Sequence, residues 1–276
     1  MPGKSLIRLV KVAQAVFRRP KHFFRICEQE TENLFWIERF AELRRISEVK
    51  LTDLVQLSEI YLETVTFRAG GSEVPDYLLL AGLCQQYPSC NYLEIGTFLG
   101  ESIANVAPFC KKCVSLSLSD EEFAATEELA AQARQVSRMF SKPLPNVKHL
   151  YGDSTQYDFG RISERFDVIF VDGCHDYPAV VSDTQNSVKL LRNDESIIVF
   201  HDAKNAYNEI EPEVMFGVHD GLPPDWRNHL YTVENTLCAV ATKKPMIPSE
   251  RISVKKNPYL KPTLKFGLRV QMDEID

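Results

Sequence analysis

The sequence predicts an α/β fold, a doubly wound and mostly parallel sheet preceded by a helical extension, on three observations. Short strand-forming runs alternate with stretches of helical periodicity from residue 73 onward, and such alternation joins parallel strands through right-handed crossovers. Two of the runs, "FDVIFVD" and "SIIVFHD", are almost wholly apolar, as strands covered on both faces are. A third, "YLEIG", ends in a glycine turn that opens into a helix, the place where open α/β sheets receive small molecules.

The elements follow in order. Residues 1–72 read as an N-terminal helical extension, with helical patterns in "WIERFAELRRI" and "LTDLVQLSEIYLETV" that break at "RAGGSE". A helix in "VPDYLLLAGLCQQY" opens the main domain, 73–243. Strands are expected at 91–95, 113–118, 147–151, 166–172 and 196–200, with helices at 100–109, 121–139 and 179–191 between them. "LYTV" and "TLCAVAT" lie close enough to pair as a final hairpin, giving a seven-stranded sheet. From Lys244, four prolines among basic residues read as an irregular tail, 244–276.

The bulk numbers exclude some classes. The 276 residues are 44% hydrophobic and 25% charged, ordinary globular composition. A formal net charge of −6 gives no whole-chain positive field, so no nucleic-acid partner is expected. No run approaches the roughly 18 to 20 apolar residues of a bilayer span, and the seven cysteines show no repeating spacing, so reduced thiols and a cytoplasmic location are expected. Cys110 and Cys113 form a lone CxxC without a second pair for zinc. Residues 1–27 lack any acid and set Leu6, Leu9, Val10, Ala13 and Phe17 at helical spacing beside basic neighbours. Such a helix suits either packing on its own domain or a peripheral membrane or protein contact.

The turn "EIGTFLG" has three residues between its glycines, Gly96 and Gly100. It is neither GxGxxG nor GxxxxGK[ST], so hydride transfer and nucleotide hydrolysis lose support. Gly96 lets a ligand approach the backbone, and Gly100 permits close packing at the mouth of the next helix. With the acid Glu94 ahead of it, the stretch "LEIGTFLGES" resembles the first motif of the class I S-adenosylmethionine-dependent methyltransferases, particularly the catechol-type and small bacterial sugar and natural-product O-methyltransferases. The resemblance runs from "VPDYLLLAGL" to "NTLCAVAT" and implies a Rossmann-like methyltransferase fold with S-adenosyl-L-methionine as cofactor. It implies that Glu94, Gly96, Thr97, Gly100 and Ser102 surround the cofactor's amino-acid end, with Asp153 near the adenine. Ser117 stands where the family places a ribose-binding acid, a departure that Asp120 or Glu121 could offset.

A second constellation comes from "FVDGCHDY" and "FHDAKN", two neighbouring strands that each end in Asp near His. Methyl transfer to oxygen needs an in-line nucleophile and an acceptor for its proton. His175 falls where the resembled enzymes carry a basic residue, so it is the expected base, with Asp172 beside it. Asp172 also borders the cofactor. In those enzymes the two strand-end aspartates bind a divalent cation, here Asp172 and Asp202. Ala203 stands at the third ligand's place, leaving His201, Asn205 or Asp176 to complete a site. An all-oxygen set would suit Mg²⁺, and an imidazole a transition metal. The alternative is a metal-free pair with Asp202 orienting a histidine. The segment 203–229 is the expected cover over a small hydroxylated acceptor. A member of the fold that has lost catalysis and serves as a scaffold is the other functional reading, motivated by Ser117 and Ala203.

Overall fold

The computed structural model describes residues 45–248, apart from 56–59, 63, 67–70, 127–136 and 207, together with Arg39 and Leu43. The basic segment 1–27 and nearly all of the expected tail lie outside the described residues. The chain forms two compact units, Met1–Arg45 and Ile46–Asp276, and the second holds the sheet.

Eight strands make that sheet: β1 (Ser47–Val49), β2 (Cys90–Ile95), β3 (Cys110–Ser117), β4 (Val147–Tyr151), β5 (Val168–Val171), β6 (Ile197–Phe200), β7 (Leu230–Val233) and β8 (Ala239–Thr242). Their order is β1-β7-β8-β6-β5-β2-β3-β4. Only β8 runs antiparallel to its neighbours, β6 and β7. The sheet therefore has one strand more than expected. The addition, "SEV", is too short to show a period of two, and it lies in the stretch read as helical extension. It pairs parallel to β7 and is tied inward by Glu48, whose Oε1 accepts from Lys204 Nζ at 3.1 Å. "LTDLVQLSEIYLETV" gives only α1 (Leu51–Leu54) as described helix.

Helix α2 (Val74–Gln85) starts where the sequence places a stop and a proline, with a capping box in which Glu73 N donates to Asp76 Oδ2 at 2.8 Å. It buries Leu79, Leu80 and Leu83 completely, each contributing about 1.5–3 kcal/mol relative to exposure. After β2, α3 (Glu101–Val106) leads to β3, and α4 (Asp120–Thr126) follows it. The expected helix does not reach Met139, because residues 137–143 form turns. The chain then crosses back from β4 past β3 and β2 to β5, so the order reverses between β2 and β5. All residues of β5 and β6 are buried, as their apolar runs require. Helix α5 (Tyr177–Leu190) joins β5 to β6, and α6 (Pro212–Gly221) and α7 (Pro224–Arg227) follow β6.

Candidate active site

The strand order reverses between β2 and β5, the place where open α/β sheets receive ligands, and Gly96 and Asp172 follow the carboxyl ends of these two strands. Asp172 N donates to Ile95 O at 2.8 Å. Gly96 has φ +91, and a Cβ there would fall 1.9 Å from the Asp172 carbonyl oxygen. The glycine is thus demanded first by the close approach of the β5 tip, rather than by a ligand as expected. Gly100, at φ +84, faces the turn after residue 137, where a Cβ would come within 2.3 Å of Ser141 Oγ. Its surroundings are the chain's own.

Glu94 is fully buried at the end of β2. Its carboxylate accepts from Thr97 Oγ1 at 2.7 Å, Ser102 Oγ at 2.7 Å and Tyr92 OH at 3.0 Å. Burial pushes its pKa up to about 7 against the opposing effect of these three hydroxyls. The structure thus gathers Glu94, Thr97 and Ser102 into one polar knot beside Gly96. It is a buried acid that a neighbouring ammonium would favour in its charged form, so the donor set fits the amino-acid end of the implied cofactor.

The end of β3 differs. Ser117 Oγ accepts from Arg138 Nη1 at 3.0 Å, and Leu118 O accepts from the same nitrogen at 2.9 Å. Arg138 pairs with Asp120 through Nη2, lies 4.9 Å from the Tyr151 ring centroid, and is 1% exposed. Burial raises the Asp120 carboxyl, yet Arg138, with Ser137 and Lys142, more than offsets that and holds it low. A guanidinium occupies the place where an acid for the ribose was expected. Asp153 is exposed and folds back on its own loop, its Oδ1 accepting from Thr155 N at 2.9 Å and Thr155 Oγ1 at 2.7 Å. That is the turn role open to an aspartate in "GDST".

The tips of β5 and β6 bring the two Asp/His sets together. Asp202, held in the left-handed region at φ 49, turns its carboxylate back toward both histidines; strained backbone of this kind collects at functional sites. His175 Nε2 is 3.1 Å from Asp202 Oδ2 and 3.9 Å from Asp172 Oδ1. His201 Nδ1 is 3.2 Å from Asp172 Oδ1 and 3.3 Å from Asp202 Oδ2. Its Nε2 is 3.4 Å from Asp76 Oδ2. Burial disfavours the charged His201 ring, but Asp172, Asp202 and Asp76 outweigh it and push its pKa well above the ordinary histidine value. His175 is raised by Asp172 and Asp202 against burial. Asp172 is raised by burial and lowered further by both imidazoles, so it stays ionised.

His201, expected among the ligands of a cation, instead faces acids with both nitrogens, and these favour its charged ring. Among the described residues, Asp172, His175 and Asp202 do bring one ligand atom each within 4.8 Å of one another. With Ala203 buried at the third position and an imidazole nitrogen as the third atom, the set departs from the all-oxygen set that suits Mg²⁺. Sequence reading missed Asp76 and Arg138. Asp76 closes the capping box of α2, while its Oδ1 accepts from Leu237 N at 2.8 Å. Arg138 fell inside an expected helix. Met215 and Phe216, which the sequence left open between cover and core, are core.

A family model described as a methyltransferase domain matches residues 93–203, from within β2 to just past β6. Over this stretch the chain is similar to a methyltransferase domain, in line with the resemblance carried by "LEIGTFLGES". No curated protein matches the chain. Solved structures with similarity to it include the O-methyltransferase TomG from Streptomyces achromogenes in complex with SAM, at 18% identity and TM-score 0.43 over 62% of this chain and 80% of that one. An O-methyltransferase from Bacillus cereus in complex with SAH has 20% identity and TM-score 0.42 over 64% and 84%. The N-methyltransferase NodS from Bradyrhizobium japonicum has 19% identity and TM-score 0.40 over 60% and 92%.

Proposed function

We propose that this chain is an S-adenosylmethionine-dependent methyltransferase acting on a hydroxyl of a small acceptor, a sugar or natural product. The observation that carries the reading is the position of His175, whose Nε2 lies 3.1 Å from Asp202 Oδ2 and which borders a cavity of about 450 Å³. Glu94, Ser102 and Thr97 hold the cofactor's amino-acid end. S-adenosylmethionine, when bound, supplies the methyl group as an electrophile on its sulfonium. His175 keeps its proton on Nε2, facing the Asp202 carboxylate, which leaves Nδ1 as the acceptor for the hydroxyl proton. Asp202 and Asp172 then stabilise the imidazolium that forms, as an acid does behind a catalytic histidine. His201, anchored by Asp76, fixes the two aspartates and balances their charge, the part a divalent cation would otherwise play. No step in this scheme passes through a metal.

The competing reading, a scaffold that has lost catalysis, draws on one feature: Arg138 beside Ser117, where a nucleoside would need an acid. A turnover assay with labelled S-adenosylmethionine and polyhydroxylated acceptors separates the two. His175→Ala is expected to lower turnover at least ~100-fold, the usual contribution of a positioned base, while affinity for S-adenosylhomocysteine stays within about twofold. Unchanged turnover would remove His175 from the mechanism, and lack of affinity in the wild type would favour the scaffold.

A further inference from the structure

The cavity beside His175 carries a charge that the chemistry of methyl transfer does not need. Its walls include His175, Asp202, Lys204, Asn205, Glu211 and Glu213. Its volume of about 450 Å³ falls in the range of small-molecule pockets. Lys204 brings little positive charge to its surface. That side chain is 1% exposed, and its three ammonium hydrogens go to Glu48 Oε1 at 3.1 Å, Asn208 Oδ1 at 2.7 Å and Val233 O at 2.6 Å. Asp202 is likewise engaged, with both histidines. Glu211 and Glu213 are presented to the cavity from the start of α6, and of their four oxygens Glu213 Oε1 accepts from Tyr177 N at 3.4 Å.

We propose that the acceptor is a cationic polyol, an amino sugar or hydroxylated amine whose ammonium sits against Glu211 and Glu213 while its hydroxyl meets His175. The proposal rests on the methyltransferase reading of this site and narrows its substrate class. The acids do not make the site, which is the cavity with its base; they set its preference. A carboxylate is acceptor-only and an ammonium donor-only, so the pair forms charge-assisted hydrogen bonds that a neutral hydroxyl cannot match. An acceptor bearing phosphate or carboxylate would meet like charge, which excludes acidic sugars. The bland account of both glutamates is the helix dipole, which favours acids at a helix start. It affects stability and gives no discrimination among ligands.

Three probes that differ only at C6 decide between them: methyl 6-amino-6-deoxyglucoside, methyl glucoside and methyl glucuronide, titrated into the full chain without cofactor and followed by protein NMR. The amine is expected to bind about tenfold tighter than the neutral probe and the acid most weakly, an order set by charge. That order should compress as salt rises from about 0.05 to about 0.5 M and vanish in Glu211→Gln/Glu213→Gln. Equal binding, preference for the acid, no binding by any probe, or an amine preference that survives in the double variant or at high salt would overturn the proposal. Should the double variant fail to fold, the salt series on the wild type decides. Failure of the methyltransferase reading would show separately, as lack of affinity for S-adenosylhomocysteine with the probe order intact.

Discussion

Asp202 is the residue through which the two histidines communicate, since its Oδ2 lies 3.1 Å from His175 Nε2 and 3.3 Å from His201 Nδ1. Because Asp172 and Asp202 raise His175, the rate carried by its neutral form should rise with pH around a midpoint above the ordinary value of about 6.5. In Asp202→Asn that midpoint should fall, and a pH–rate profile unchanged by the substitution would contradict the assigned role. Glu94 makes a second, independent statement about protons. Its folded pKa of about 7 lies above the unfolded one, so between the ordinary carboxylate value and about 7 the folded chain keeps a proton that the unfolded chain has lost. Stability from this group is full below the unfolded pKa, declines as pH rises through that window by on the order of 3 kcal/mol, and is level above it. Urea unfolding of wild type and Glu94→Gln at several pH values should show the variant lacking that decline. Both residues were legible in the sequence, because each ends an apolar strand run. Asp76 was not: its partners His201 and Leu237 are more than a hundred positions away, and its local pattern was already explained by the helix start.

At the scale of elements, the turn after residue 137 changes what the glycine loop can do. Arg138 N donates to Phe98 O at 2.8 Å and Phe140 N to Leu99 O at 3.1 Å, laying the turn along the loop, while the guanidinium fills the end of β3. Arg138→Ala should free Ser117 and Asp120 for ribose hydroxyls and so tighten S-adenosylhomocysteine binding, at a stability loss of about 1–3 kcal/mol from the broken buried pair. Calorimetry checks the first and urea unfolding the second; weaker binding would mean that Arg138 itself holds the ligand. Nothing local announced this turn, because "QVSRMFSK" keeps a helical pattern, and the packing of 138–141 on 98–100 is a long-range effect. The β5 and β6 runs, by contrast, were readable as strands buried on both faces, and the hairpin of β7 and β8 from its spacing alone. β1 escaped because three residues carry too little pattern, and its place is secured by a buried ion pair from Lys204.

For the whole molecule, the doubly wound, mostly parallel sheet was inferable from alternation and handedness, and the observed order has its reversal point between β2 and β5. Everything proposed for function follows from three tips, those of β2, β5 and β6, meeting there. Backbone amide NMR of the full chain titrated with S-adenosylhomocysteine tests that convergence most directly. The expected result is shifts concentrated at 94–102, at Ser117 and at 172–175, with the outer strands β1 and β7 unmoved. Saturating addition that leaves those residues unshifted, or shifts confined to another face of the sheet, would contradict it.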